Sequence, residues 1–180
     1  GKLLKMNELI NLIIPRGGKS LIERVQKDSK IPVLSHLDGL CHTFIDKKAD
    51  KQMSLEIALN AKMRRTGICG ATETLLCHKD SSQNILPEII TKLIEKGCEV
   101  RGDKTVQSIN NDVKPASNKD WQTEYLDSII SIKIVNDVFD AIEHIEKYGS
   151  NHTDAIITNN MRNAEIFLNN VNSAIVIHNA

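Results

Sequence analysis

Arg64-Arg65-Thr66-Gly67-Ile68-Cys69-Gly70-Ala71-Thr72-Glu73-Thr74-Leu75-Leu76 is the stretch from which the fold of this 180-residue chain reads outward. Upstream, Met53, Ile57 and Ala61, with Leu55 and Leu59, recur at helical spacing and predict an amphipathic helix over 53–63. Downstream, Thr72 to His78 is rich in β-branched and apolar residues and predicts a strand. The joint holds Cys69 between Gly67 and Gly70, residues that let a backbone turn sharply or approach a ligand closely. Arg64 and Arg65 stand just before it, and nearby positive charge favours thiolate over thiol. Such a cysteine is either a small buried apolar residue, the common fate of an isolated one, or a nucleophile.

The same alternation of strand and helix continues on both sides. Leu9 to Ile14 is a near-continuous apolar run ended by Pro15 and predicts a buried strand of a parallel sheet. Arg16-Gly17-Gly18-Lys19-Ser20 then leads into helical periodicity over 21–27. Strand, glycine turn and helix N-terminus form a geometry that offers backbone N–H groups to an anion, although such a loop also serves as plain connection. Gly-Gly-Lys-Ser is not a P-loop, because the first glycine of that motif would fall on Leu12 or Ile13. Short strands are expected over 31–34 and 41–45, with a charged turn over 46–50. Beyond the central stretch, 79–83 reads as a polar loop. Residues 85–96 read as an amphipathic helix closed by Gly97, and a strand begins at Val100. A strong strand follows over 129–135, then a helix over 139–147, a turn over 148–153, a strand over 154–158, a helix over 160–169 and a last strand over 174–177. Strands alternating with helices argue for a layered α/β domain with a mostly parallel sheet.

Composition narrows the function. Lysine plus arginine and aspartate plus glutamate both total 23, and no aromatic-plus-basic stretch occurs, so nothing favours nucleic acid. Aromatic residues make up 3% of the chain, which leaves the core to isoleucine, leucine and valine. No apolar run is long enough for a membrane span and the first residues lack a signal-peptide pattern. Four irregularly spaced cysteines suit reduced thiols in a cytoplasmic protein. Cys41-His42 and Cys77-His78 offer four metal-ligand types, but strand neighbours point to opposite faces, so no metal is expected. Cys98 reads as structural. His144, beside Glu143 and Glu146, reads as solvated, and His152 as a weak candidate for substrate contact.

The string Asn60-Ala61-Lys62-Met63 followed by Arg64 to Leu76 resembles the nucleophile segment of γ-glutamyl phosphate reductase, also called glutamate-5-semialdehyde dehydrogenase, of the aldehyde dehydrogenase superfamily. Ile13-Ile14-Pro15-Arg16-Gly17-Gly18-Lys19, Ser35-His36-Leu37-Asp38-Gly39 and Trp121-Gln122-Thr123-Glu124-Tyr125 match as well, so the resemblance spans essentially the whole chain. It implies a three-layer α/β catalytic domain of aldehyde dehydrogenase type over 35–180, with a remnant of the cofactor-binding domain over 1–34. It implies Cys69 as nucleophile and Arg16, Gly17, Gly18, Lys19 and Ser20 facing the phosphates of NADPH or NADP. Glu124 would bind the ribose, or cap its own neighbourhood. The implied reaction reduces the small-molecule substrate γ-glutamyl phosphate to glutamate 5-semialdehyde through a cysteine thioester, in proline biosynthesis. Hydrolytic aldehyde dehydrogenases carry a general-base glutamate where this chain has His36, which argues against another aldehyde as substrate. Family members are considerably longer. The chain is therefore expected to be a cut piece or the product of a degraded gene, inactive by itself, and the rival role is a silent remnant that binds a partner or self-associates as a homo-oligomer.

Overall fold

Cys41–Ile45 (β1) and Thr72–His78 (β2) are buried at every position, polar residues included, as suits strands of a parallel sheet covered on both faces. The computed structural model describes residues 1–35 and 38–180, and the backbone alone at Lys19. Around β1 and β2 run Glu99–Gly102 (β3), Lys114–Pro115 (β4), Ile129–Val135 (β5), Thr153–Ile157 (β6) and Ile175–His178 (β7). They form a seven-stranded sheet in the order β4-β3-β5-β2-β1-β6-β7. Every pairing is parallel.

Alternating side chains of the central strands feed two cores. Ile45, Leu75, Cys77, Ile130 and Ile132 meet Lys51–Met63 (α2) and Lys79–Glu95 (α3) on one face. On the other, Phe44, Leu76, Val135 and Ile156 meet Val138–Tyr148 (α5) and Met161–Asn170 (α6). A short helix, Lys104–Gln107 (α4), follows β3. The result is the expected three-layer α/β sandwich, with a sheet parallel throughout.

Local chemistry sets the helix ends. Asp50, Asp103, Asp137 and Asn160 each accept a backbone N–H from the first turn of the helix they precede. Gly97 takes a φ of +80° behind α3. Its N–H and that of Cys98 bond to Ile94 and Leu93, the paired closure that favours glycine there. Residues 79–83, expected as a loop, are instead the first turn of α3. His78 accepts from the Asp80 N–H, and the Ser81 and Ser82 hydroxyls bond back to His78 and Lys79 carbonyls, so the polar residues initiate the helix. In α2 the deepest line is Ser54, Ala58 and Lys62. It runs one position along from the expected stripe of Met53, Ile57 and Ala61, which flanks it.

Residues Gly1–Asp38 and Gly39–Ala180 are two compact units. The first contains Lys19–Asp28 (α1). The expected buried strand over 9–14 and the strand over 31–34 reduce to a single parallel bridge between Ile13 and Val33. Leu9, Leu12 and Ile14 are exposed at 76%, 48% and 57%. A buried strand needs neighbours on both sides, and among the described residues Ile13 has one.

Candidate active site

A fully parallel sheet brings the segments that lead into neighbouring strands to the same edge. The spatial order β5-β2-β1-β6 therefore sets four segments side by side: residues 120–128, the loop 64–71, Gly39–Leu40 and Ser150–His152. Hydrogen bonds lace them together. The Leu40 N–H donates to Ser150 Oγ at 2.8 Å and the Gly39 N–H to Glu124 Oε1 at 2.9 Å. The Leu126 N–H reaches Glu73 Oε1 at 3.2 Å.

Cys69 sits half-buried in this cluster. Its carbonyl is fixed from two directions. A Cβ at Gly39 would lie 2.1 Å from the Cys69 oxygen, so only glycine permits this approach. The Cys41 thiol donates to the same oxygen at 3.1 Å. Among the described residues the N–H groups of Cys69 and Gly70 make no hydrogen bond, while the Ala71 N–H closes a turn onto Ile68. Two free backbone donors beside a sulfur are what a tetrahedral oxyanion needs. The other thiols are less suited to attack. Burial pushes Cys41 and Cys77 up to about 12 and Cys98 up to about 11. Arg64 and Arg65 are both exposed.

The glycines flanking Cys69 are not the tight ones. A Cβ on Gly70 would touch nothing within 4 Å, and one on Gly67 would be 3.7 Å from the Leu126 oxygen. The close approach belongs to Gly39, which the sequence offered only as part of a domain junction.

Glu124 stands on a braced segment. Asp120 accepts from Ser117, Arg101 and the Tyr125 hydroxyl. Tyr125 also meets Ser131 Oγ at 2.7 Å. These donors hold the Asp120 carboxyl below the usual range despite its burial. One Glu124 oxygen takes the Gly39 N–H, and the other has no partner among the described residues.

Beneath the Cys69 loop, Lys62 Nζ meets Glu73 Oε2 at 2.6 Å, with both side chains at 0% exposure. Lys62 also lies 5.8 Å from the Tyr125 ring centre. The β1–β2 register jumps from Cys41↔Thr72 to His42↔Thr74, so Glu73 is an extra residue with no opposite number on β1. Sequence reading passed over this pair. The available signal was a lysine four residues beyond the small residue Ala58 on a helix face.

Other expected site residues belong to other elements. Arg16, Gly17, Gly18, Lys19 and Ser20 are in the unit Gly1–Asp38. Gly18 is the N-cap of α1, with no side-chain cap and no acidic residue in the first turn. Gly17 has a φ of +153°, and a Cβ there would lie 2.6 Å from Leu21 Cδ2. The expectation for His36 lies outside the described residues. His144 is not solvated. It is 3% exposed, because its side of α5 packs onto the sheet, and its Nδ1 lies 3.0 Å from Lys133 Nζ. Of the Cys-His pairs, His42 Nδ1 bonds Asp154 at 3.0 Å, and Cys41 Sγ lies 3.6 Å from His152 Nδ1.

Against known proteins, the match is long and specific. The chain is 51% identical over 180 residues to γ-glutamyl phosphate reductase of Rhodospirillum rubrum, covering all of this chain and 42% of that protein. It also superposes on the crystal structure of γ-glutamyl phosphate reductase from Thermotoga maritima with a TM-score of 0.95 and 42% identity, covering 99% of this chain and 43% of that one. It is likewise 52% identical over 181 residues to γ-glutamyl phosphate reductase of Parvibaculum lavamentivorans, covering all of this chain and 43% of that protein. The chain spans less than half the length of these relatives. An acetylating aldehyde dehydrogenase from Geobacillus thermoglucosidasius shares the fold, with a TM-score of 0.75 at 17% identity over 99% of this chain and 48% of that one. The fold is thus aldehyde-dehydrogenase-like. No family model matches the chain. Among the described residues no helix is long and apolar enough to cross a membrane.

Proposed function

We propose that this chain carries the nucleophile of an oxidoreductase that converts L-γ-glutamyl 5-phosphate to L-glutamate 5-semialdehyde, a step of proline biosynthesis, in the cytoplasm. The observation that carries the reading is Cys69, half-buried beside two backbone donors that have no partner among the described residues, in a chain half identical to γ-glutamyl phosphate reductases.

The Cys69 thiolate adds to the acyl carbon, and an S–C bond forms while the oxyanion takes the N–H groups of Cys69 and Gly70. The C–O bond to phosphate then breaks and phosphate leaves with its electron pair, which asks little of a general acid. The product is a thioester on Cys69. Gly39 and Cys41 hold the Cys69 carbonyl still while charge develops on the neighbouring oxyanion.

NADPH would supply the hydride that reduces the thioester carbonyl. The residues present fit such a group. The uncapped, glycine-led N-terminus of α1, with Arg16, Gly17, Gly18, Lys19 and Ser20, suits phosphate. The unpartnered oxygen of Glu124 suits a ribose hydroxyl. Domain roles follow: a cofactor-binding portion over 1–34 and a catalytic portion over 35–180, close to the division at Asp38.

Peptide mass spectrometry after mixing the chain with L-γ-glutamyl 5-phosphate and quenching in acid tests the reading. A glutamyl group is expected on Cys69 and absent from Cys69→Ser. An unmodified Cys69, or acylation of Cys98 instead, would refute it.

A further inference from the structure

We propose that the buried Lys62–Glu73 ion pair is a positioning device for the Cys69 loop, fixing the backbone donors that acyl transfer to Cys69 requires. The inference rests on the reading of Cys69 as nucleophile. Lys62 closes α2 and Glu73 opens β2, so the pair joins the two ends of the loop 64–71 across eleven positions of sequence. The β-bulge at Glu73 matters here, because an extra residue in one strand re-aims its side chain out of the regular alternation. That re-aimed carboxylate takes Lys62 on one oxygen and the Leu126 N–H on the other. Leu126 is held at a φ of +53°, an uncommon conformation for a leucine. Glu124, two residues earlier, holds the Gly39 N–H, and Gly39 packs against the Cys69 carbonyl. Lys62, Glu73, Leu126, Glu124, Gly39 and Cys69 thus form a closed circuit.

Stability alone does not account for such a pair. Removing two charges from water costs about what their attraction returns, and well-packed apolar replacements are often as stable. Geometry is the remaining gain. Lys62 and Glu73 touch no reacting atom and act through the loop.

The test compares two reactions of Cys69 in the 180-residue chain. With p-nitrophenyl acetate the thiolate adds to the ester carbonyl, an S–C bond forms, and p-nitrophenolate leaves with the electrons of the broken C–O bond. Its oxygen carries negative charge on the way. With iodoacetamide the S–C bond forms at a saturated carbon as iodide leaves, and no oxyanion arises. Loss of one oxyanion donor costs about 100-fold or more, so partial misplacement in Glu73→Gln should slow acylation about tenfold. Alkylation should change less than about twofold, because it makes no use of those donors.

The double variant Lys62→Met/Glu73→Leu leaves no unpaired buried charge. Its melting temperature is expected to match or exceed that of the unaltered chain, with acylation still slow. Full acylation in that stable double variant would overturn the inference, and so would equal losses in both reactions. If Cys69 of the unaltered chain is not acylated, or is alkylated no faster than Cys98, the nucleophile reading itself fails, and the inference with it.

Discussion

The two edges of the sheet use their polar groups in opposite ways. Where the strands end, every group named here is spent. The buried Asp46 carboxylate accepts from the Thr158 hydroxyl at 2.7 Å and from Asn163 Nδ2 at 3.0 and 3.1 Å. Asp103 there accepts three backbone N–H groups, from Thr105, Val106 and Ile134. Where the strands begin, the Cys69 and Gly70 N–H groups and one Glu124 oxygen have no partner among the described residues. Yet the elements carrying them are held as firmly, by Gly39, Glu73 and Asp120. Rigid backbone with unspent donors is a preorganised site, whereas rigid backbone with spent donors is scaffold. In open α/β sheets ligands usually lie beyond the carboxyl ends of the strands. Here the unspent chemistry is at the other end.

Glycine offers the sharpest way to break this comparison. A Cβ at Gly39 would meet the Cys69 carbonyl at 2.1 Å, and backbone cannot step aside cheaply. Gly39→Ala should cost about 3 kcal/mol of stability and slow acylation of Cys69 by p-nitrophenyl acetate at least about tenfold. At the other edge, a Cβ on Gly102 would meet Val106 and Val113 side chains, the nearest at 2.7 Å. Gly102→Ala should cost about 2 kcal/mol and leave acylation of the folded chain unchanged. Denaturant melts alongside acylation rates check both. Equal slowing in the two variants would mean that the edges do not differ.

The scaffold edge should respond to loss of a hub. Asp46→Ala leaves the Thr158 hydroxyl and the Asn163 amide without their acceptor, at about 2 kcal/mol. Urea unfolding should show that loss while alkylation of Cys69 in the folded chain proceeds at its original rate. A slower Cys69 would place Asp46 in the site.

Much of this difference was hidden in the sequence. The β-branched and apolar residues of β2 and β5 and the amphipathic spacing of 85–96 in α3 declare themselves because burial on two faces and helical spacing leave local patterns. Cys69 stood out as a candidate through its neighbours, and Glu124 through a five-residue motif. Gly39, Lys62 and Glu73 did not. Their significance arises from contacts 11 to 85 residues away or from a bulge, and neither writes a local pattern. His144 misled because Glu143 and Glu146 beside it are helix neighbours facing elsewhere, while Trp121 and Lys133, which cover it, come from distant segments. The exposed apolar run over 9–14 shows the reverse, a strand pattern without a sheet around it.

His144 sharpens the comparison by asking whether an unpartnered polar atom always marks a site. Its Nε2 is buried with no hydrogen bond among the described residues. Burial, reinforced by His42, Lys133 and Lys147, pushes its pKa down from 6.5 to about 3. The unfolded chain gains a proton as pH falls through about 6.5, whereas the folded chain resists until about 3. Stability contributed by a neutral His144 is therefore full above the first value and is lost as pH falls towards the second. The slope is at most about 1.4 kcal/mol per pH unit. His144→Gln should flatten the fall in stability between pH 6 and pH 4 by about that amount. Parallel curves for the two proteins would show that His144 is protonated in the fold. The expected result makes this orphan a cost of packing, not a site.

The smallest effect tests whether the two edges communicate. Helix α2 runs from one to the other: Asp50 caps it behind β1, accepting the Met53 N–H at 2.8 Å, and Lys62 ends it beneath the Cys69 loop. Asp50→Ala removes the cap and should cost about 1 kcal/mol, read from thermal or urea melts. Loss of an N-cap frays the first turn, and Lys62 lies beyond that turn, tied to Glu73 and buried against Tyr125. Fraying at one end of a helix does not propagate when the other end is pinned by tertiary contacts, since helix stability in a domain comes mainly from packing. The ratio of acylation to alkylation at Cys69 should therefore stay at its original value in this variant. A ratio that falls together with the melting temperature would mean that α2 transmits disorder along its length, and the two edges would then be one cooperative unit.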